Sequence, residues 1–390
     1  MLKSLYISNF KGLKEVSIPT VGQLNLIVGK NNSGKSSILE ALMLYASGGS
    51  EHVLHDISTS HDETSRDRIR FSESQQNNID NQYSDLDEML PYEHLFYNRK
   101  FKRNESIKIG EIDKINKNLI ISYIRSKKSS DDDTRGEAIK LLQQLNILTD
   151  EISMSENRST NLLEIKKGRH RHVIPLNETN YRNRFVDSHD GSKINFKYVP
   201  TNITSMDELG ILWDQITLTK YEDITIDALK LIEPNISDIR FIIRKESRRQ
   251  RTAIVRIAGE DSIFPIRSMG DGIGRVLQLV LNMYAARDGI YLIDEFDNGL
   301  HYSIQKPLWK MVFQLANQLN IQVFATTHSW DCVQSFSEVS IDVLKEDPST
   351  VGTLLKIGRS KLAAKKGNSI VTTFDGPKLQ TITQEMVEVR

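Results

Sequence analysis

Apolar residues recur among polar partners at the start of the chain. Leu2, Leu5, Ile7 and Phe10 do so over residues 2–10, and a second run covers Leu13–Ile18 after a turn at Gly12. Near-alternation sends successive side chains to opposite faces, so both runs predict strands. The next run, with Leu24, Leu26, Ile27 and Val28, is nearly all apolar and predicts a buried strand. Beyond a glycine-rich break the spacing turns helical, with Ile38, Leu39, Leu42 and Leu44.

Residues 50–90 lose this patterning. Ser, Asp, Asn, Gln and His dominate, so a mobile, partly disordered insertion is expected there. Strand-like segments follow near Ser106–Ile112 and Leu119–Ile124. Residues 134–165 then carry Ile139, Leu142, Leu145, Leu148, Ile152, Leu162 and Leu163 at helical spacing. A further helical stretch spans 207–233, with Leu209, Leu212, Trp213, Ile216, Ile226, Leu229 and Ile232 on one face. Strands are predicted at Ile236–Arg244 and Thr252–Ala258, joined by ESRRQR.

From there strand and helix take turns. A helix over about Gly272–Ala286 precedes the strand Tyr291–Ile293, and a helix over about Ser303–Leu319 precedes the strand Ile321–Thr326. Such alternation implies parallel pairing. The predicted fold is α/β, with an N-terminal β-meander and a parallel sheet flanked by helices. Residues 1–48 and 191–390 form its two halves, and 49–190 is an inserted lid with disordered 50–90 and helical 134–165. There is no internal repeat and no long heptad run.

The candidate chemistry sits at the ends of the predicted parallel strands. Residues 29–36 read GKNNSGKS, between a buried strand and a helix, which is the setting a phosphate-cradling loop requires. Gly29 and Gly34 let backbone N–H groups close around phosphate oxygens, and the helix starting near Lys35 adds its positive end. Lys35 can neutralise the β- and γ-phosphates, and the Ser36 hydroxyl can ligate Mg²⁺. The expected nucleotide-binding set is Gly29, Lys30, Asn31, Asn32, Ser33, Gly34, Lys35, Ser36 and Ser37.

Asp294 and Glu295 end the strand Tyr291–Ile293, where ligands of parallel sheets bind. Asp294 can hold Mg²⁺ through water, and Glu295 can orient or deprotonate an attacking water. His328 follows the next strand and can hydrogen-bond the γ-phosphate or that water. Ser268–Met269–Gly270–Asp271–Gly272 lies directly before a helix; it reads either as a second anion-binding surface, serving another subunit's nucleotide, or as an ordinary capped helix.

Composition narrows the setting. The 390 residues hold 51 Lys plus Arg against 51 Asp plus Glu, which argues against a whole-surface nucleic-acid binder. Cys332 is the single cysteine, so an internal disulfide framework is excluded and a reducing cytoplasm is expected. No apolar run approaches a membrane span, and the N-terminus lacks a signal-peptide core. Basic clusters occur at 244–251 (RKESRRQR), 166–172 (KKGRHRH) and 359–366 (RSKLAAKK). They read either as solvated tips or as contacts to a phosphate backbone. His170 and His172 lack the further ligands a metal site would need.

The order of motifs resembles the ABC-type ATPases of the structural-maintenance-of-chromosomes and RecF group, and more narrowly the stand-alone ATPases related to the overcoming-lysogenization-defect (OLD) family. The stretches that carry this are LYISNFKGLKE, LNLIVGKNNSGKSSILEAL, IRSMGDGIGRVLQLVL, LIDEFDNGLHYS, FATTHS and the closing VEVR. The resemblance covers roughly residues 1–48 and 195–390. It implies that Gly29–Ser36 is the Walker A loop, Asp294 and Glu295 the Walker B pair with its catalytic glutamate, and Asp297 the D-loop acid. It further implies that Ser268 and Gly270 form the signature motif and that His328 is the switch histidine.

In that family two subunits sandwich two ATP molecules with Mg²⁺, and Ser268 of one subunit would contact the γ-phosphate held by the other. Two departures stand out: SMGDG replaces the longer LSGGQ, and no glutamine aligns as a Q-loop. Full OLD-type proteins add a nuclease domain built on a D-x-D carboxylate set. The residues after His328 hold none, since Asp342 and Asp347 are isolated and Asp375 sits in FDGP, so no nuclease is expected in this chain. The resemblance implies an ATP-driven switch or scaffold, a homodimer or higher homo-oligomer, controlling a separately encoded effector protein in bacterial anti-phage defence. The alternative is a RecF-like ATPase that binds DNA in repair. A membrane-transporter motor is disfavoured by the missing LSGGQ and the N-terminal meander.

Overall fold

The computed structural model describes residues 1–61, 90–102, 105–126, 160–176, 193–243, 250–260, 262–348, 350–360 and 368–384. The chain forms two compact units. One comprises Met1–Lys3, Ile18–Leu39 and Ile194–Arg390; the other comprises Ser4–Ser17 and Glu40–Lys193.

The first unit is built on a six-stranded sheet. In chain order its strands are β3 (Leu24–Val28), β8 (Phe196–Val199), β12 (Ile290–Ile293), β13 (Gln322–Thr326), β14 (Gly352–Arg359) and β15 (Ser369–Asp375). Their spatial order is β15-β14-β3-β13-β12-β8, all parallel except the edge strand β15. Every residue of β3, β12 and β13 is buried, as expected where helices cover both faces of a parallel sheet. The phosphate loop leads from β3 into α1 (Lys35–Ser47). The register Ile293↔Ala325 and Thr326↔Ile27 brings the carboxyl ends of β12, β13 and β3 side by side. The predicted parallel pairing is therefore observed, while β8 and β14 join it from segments with no clear strand pattern.

The stretch 207–233 folds as two helices, α3 (Met206–Ile216) and α4 (Lys220–Leu229). Leu218, left-handed at φ 62 and almost fully exposed, separates them. Ser205 and Thr219 cap the two starts by accepting the N–H groups of Glu208 and Tyr221. Strands β9 (Ile236–Ile243) and β10 (Arg251–Ile257) pair antiparallel, with β11 (Ile263–Pro265) on the far edge of β10. Helix α5 (Asp271–Ala285) is buried from Ile273 through Met283. Beyond it lie α6 (Tyr302–Gln318), α7 (Trp330–Glu346) and α8 (Gly376–Gln384). Trp309 of α6 stacks on Phe296 with ring centroids 3.8 Å apart, seating the turn after β12 on the core.

The second unit is a six-stranded antiparallel sheet ordered β2-β1-β4-β5-β6-β7. It combines β1 (Leu5–Phe10) and β2 (Leu13–Ile18) with β4 (Ser106–Gly110), β5 (Leu119–Ser126), β6 (Thr160–Lys167) and β7 (His170–Pro175). The N-terminal meander thus extends into the insertion through the β1–β4 ladder.

Two expectations are corrected here. Leu162 and Leu163 do not continue a helix: they lie in β6, paired to Tyr123 and Ile124 on one side and to Ile174 and Pro175 on the other. Their leucine spacing fitted a helical period, but the turn at Gly168 and Arg169 folds β6 onto β7, and ladders on both flanks satisfy the backbone. The rest of the 134–159 helical pattern lies outside the described residues. Residues 51–59, expected to be irregular, form α2 (Glu51–Thr59), whose Val53, Leu54 and Ile57 are buried. Their i, i+4 stripe was masked by the polar residues around it. Residues 62–89 lie outside the described residues.

Candidate nucleotide site

The phosphate loop has the backbone that its glycines require. Gly29 has φ +154, and a Cβ there would stand 2.3 Å from the Ile357 carbonyl of β14, so only glycine lets the loop pack on that strand. Asn32 at φ 59 and Gly34 at φ 103 turn the chain back into α1. Lys35 Nζ donates to the carbonyls of Gly29 at 2.8 Å and Lys30 at 3.2 Å, which arches its side chain over the loop. Burial lowers the Lys35 pKa, while Asp294 and Glu295 pull it back up. Ser33 Oγ is buried without a partner. Lys30, Asn31, Asn32 and Ser36 are exposed, and Gly34 and Ser37 half-buried, along the same loop.

Opposite the loop stands the acidic turn after β12. The Asp294 carboxylate receives a 2.6 Å hydrogen bond from Thr326 Oγ1, and the same hydroxyl accepts the Glu295 N–H at 2.8 Å. Ser36 Oγ lies 3.4 Å from both Asp294 oxygens. Adjacent vertices of a Mg²⁺ octahedron are about 3 Å apart, so one hydroxyl and one carboxylate at this spacing fit that ion. The orphaned Ser33 hydroxyl, just before the N-terminus of α1, likewise fits a bound phosphate. Among the described residues no group of three or more His, Cys, Asp or Glu could hold a metal.

Glu295 takes the left-handed conformation at φ 47, uncommon for a residue with a Cβ and typical of turns at functional sites. Among the described residues its carboxylate has no hydrogen bond or ion pair. Asp297 is held by Thr327 Oγ1 at 2.5 Å. His328 is exposed just past β13. These elements share the carboxyl end of one parallel sheet.

Ser268 and Gly270 lie at the start of α5, both exposed. Ser268 Oγ donates to the Pro265 carbonyl, and Gly270 at φ 94 opens the helix. A residue that motif reading passed over connects this helix to the acidic turn. Arg275, only 1% exposed, donates through Nη2 to the carbonyls of Asp294 (2.7 Å) and Glu295 (2.8 Å), and through Nη1 to Pro200 (2.6 Å). Burial lowers its pKa, and Tyr291, Asp294, Asp297 and Glu295 offset that in part. An arginine among Ile273, Val276 and Leu277 on an apolar helix was the available signal.

Of the basic clusters, Lys166 and Arg171 pair with Glu164, and Lys167 donates to the Tyr45 carbonyl. Arg251 pairs with Asp214; 244–249 and 361–367 lie outside the described residues, as does VEVR.

A strand, phosphate loop and helix, with an acidic pair ending a parallel strand two places along the sheet, define a P-loop nucleotide hydrolase. Residues 24–331 match the family model described as "AAA domain, putative AbiEii toxin, Type IV TA system", and the chain belongs to that family. It is an ATP-hydrolysing P-loop NTPase. It is 25% identical over 363 residues to a Helicobacter pylori protein named "ATP/GTP phosphatase", covering 89% of each chain. Over 47 residues it is 51% identical to an uncharacterised protein of Methanocaldococcus jannaschii, covering 12% of this chain and 22% of that one.

Among solved structures it is similar to the SMC head domain from Thermotoga maritima, with 12% identity, TM-score 0.41 and coverage of 96% and 98% of the two chains. It is also similar to the Smc head domain bound to the C-terminal domain of ScpA derived from Pyrococcus furiosus, with 12% identity, TM-score 0.45 and 99% coverage of both. At such scores the chain's own strand order and loop placement define its fold. Among the described residues no helix is long and apolar enough to cross a membrane.

Proposed function

We propose that this ATPase is a molecular switch of the OLD-like kind, closing as a homodimer or higher homo-oligomer around composite ATP sites. The closed assembly controls a separately encoded effector in bacterial anti-phage defence. The observation that carries the assembly is the pairing of opposites on α5: Ser268 and Gly270 are exposed at its start, while Arg275 one turn on is buried against the acidic turn. A loop left open at the head of a buried helix suits a surface supplied to another subunit.

In this reading the loop amides and Lys35 bind the phosphates of ATP, and Ser36 with Asp294 holds Mg²⁺. The ion supplies charge neutralisation between the phosphates. Glu295 orients the attacking water and accepts its proton, and His328 hydrogen-bonds the γ-phosphate or that water. Asp297, fixed by Thr327, faces the second subunit. The family description names a putative toxin of a Type IV TA system, which is compatible with an ATPase that acts together with a second protein. The single buried cysteine suits a cytoplasmic setting.

The test is sedimentation of Glu295→Gln with and without ATP. ATP should shift that variant to a dimer or larger species, and adding Ser268→Arg should abolish the shift. A chain that stays monomeric at saturating ATP would sink the composite-site reading. If the purified protein degraded DNA or RNA and Glu295→Gln left that activity intact, the separate effector would be abandoned. A RecF-like role in DNA repair rests on the basic residues 244–251, of which the Arg251 guanidinium is already engaged by Asp214. ATP turnover stimulated by DNA, with a steep salt dependence, would favour that role instead.

A further inference from the structure

Helix α5 runs from the exposed Ser268–Gly270 loop to the backbone of the acidic turn. Asp271 and Arg275 are four residues apart, about 6 Å along a rigid helix. We propose that Arg275 is a positioning residue that couples engagement of the Ser268–Gly270 loop by a second subunit to the aim of the Glu295 carboxylate. This rests on the composite-site reading above.

Three features of the geometry carry it. Glu295 sits at φ 47, a conformation that its neighbours must hold in place. Its N–H is held by Thr326 on β13; its carbonyl accepts the Asn298 N–H at 3.1 Å within the same turn and, together with that of Asp294, the Arg275 guanidinium, which among the described residues is the one side chain from another element on these carbonyls. The guanidinium, moreover, bonds carbonyls and not carboxylates. Direct pairing with Glu295 would occupy the group that must meet water; here the backbone is fixed and the side chain stays available. Finally, α5 also grips the segment after β8: Arg275 reaches the Pro200 carbonyl, and fully buried Gln278 donates to the Asn202 carbonyl and Thr204 Oγ1. Asn298, three residues past Glu295, donates to the Thr201 carbonyl in the same segment. The carboxyl ends of β8 and β12 are thereby tied to one helix.

When a second subunit seats against Ser268 and Gly270, α5 is held and Arg275 fixes the turn. In a lone subunit the turn relaxes and hydrolysis stays slow. A displacement near 1 Å at the reacting group costs about 100-fold in rate, so a small shift of α5 suffices.

The experiment compares Arg275→Met, Arg275→Lys, Gly270→Ala and the double variant Gly270→Ala/Arg275→Lys. ATP affinity, ATP-dependent sedimentation and kcat at saturating ATP are measured for each. Gly270 has φ 94 with open space around the missing Cβ, so alanine there strains the loop without a clash.

Both Arg275 variants should keep wild-type ATP affinity and still assemble, while kcat falls by about 100-fold. Lysine should not rescue, because a single ammonium cannot reproduce the planar fork that spans these carbonyls. Gly270→Ala should also slow turnover, and the double variant should be no slower than Arg275→Lys, since both changes act through one turn. Wild-type kcat in Arg275→Met, or rate losses that multiply in the double variant, would overturn the coupling. Should Arg275→Met fail to fold, as judged by thermal unfolding, the cycle with Arg275→Lys decides. Loss of ATP-dependent assembly in the unmodified chain would instead sink the composite-site reading, so the two failures are distinguishable.

Discussion

Two buried carboxylates of the antiparallel unit and one buried arginine of the parallel unit are satisfied in different ways. In the antiparallel unit charge meets charge: Glu164 is closed off by Lys166 and Arg171, and Glu40 by Lys11, with His61 Nε2 hydrogen-bonded to its other oxygen. In the parallel unit the buried cation Arg275 meets carbonyls, and the buried Thr326 hydroxyl takes one Asp294 oxygen and a backbone N–H. Closed pairs neutralise themselves and serve stability. Backbone-directed contacts fix the turn and, among the described residues, leave the Glu295 carboxylate without a hydrogen bond, which suits the water-orienting role proposed for it.

Four substitutions would break or sharpen that contrast. The largest effect is expected from Glu295→Gln, which should lower kcat by about 1,000-fold while ATP still binds, as single-turnover kinetics would show. Fast turnover by that variant would remove Glu295 from the chemistry. Next comes Lys35→Ala, which deletes the cation arched over the phosphate loop. It should weaken ATP binding by about 100-fold in calorimetry, as expected for losing charge-assisted hydrogen bonds.

Thr326→Val keeps the volume but strands the Glu295 N–H and one Asp294 oxygen. It should cost about 2 kcal/mol in urea unfolding and lower kcat roughly ten-fold. A stability loss with unchanged kcat would place Thr326 with the closed pairs and weaken the contrast. The smallest effect is expected from Glu164→Gln, whose partners are close to half exposed. It should cost about 1 kcal/mol in the same unfolding assay and leave ATP turnover unaltered.

The site was legible where its parts are contiguous. GKNNSGKS, Asp294–Glu295 and His328 each announce themselves through residue type and the strand beside them, and the structure places them at neighbouring strand ends. Arg275 and Thr326 were not legible as site residues, because their partners lie 20 and 32 positions away in sequence. The errors in secondary structure have a similar origin. Leu162 and Leu163 fit a helical period, and only the ladders to β5 and β7 decide that they are strand. Strand β8 carries a weak signal at Phe196–Val199, and its pairing with β12 is what makes it part of the sheet.

By itself, the amino-acid sequence determined the phosphate loop, the buried parallel strands around it and the acidic pair at a strand end. These depend on backbone freedom at glycines and on local runs of apolar side chains, which neighbouring residues settle. The tertiary structure alone decided that the N-terminal meander joins strands of the insertion, that Thr326 serves both Asp294 and Glu295, and that Arg275 ties α5 to the acidic turn. Those contacts exist only once strand register and helix packing bring distant residues within hydrogen-bond range.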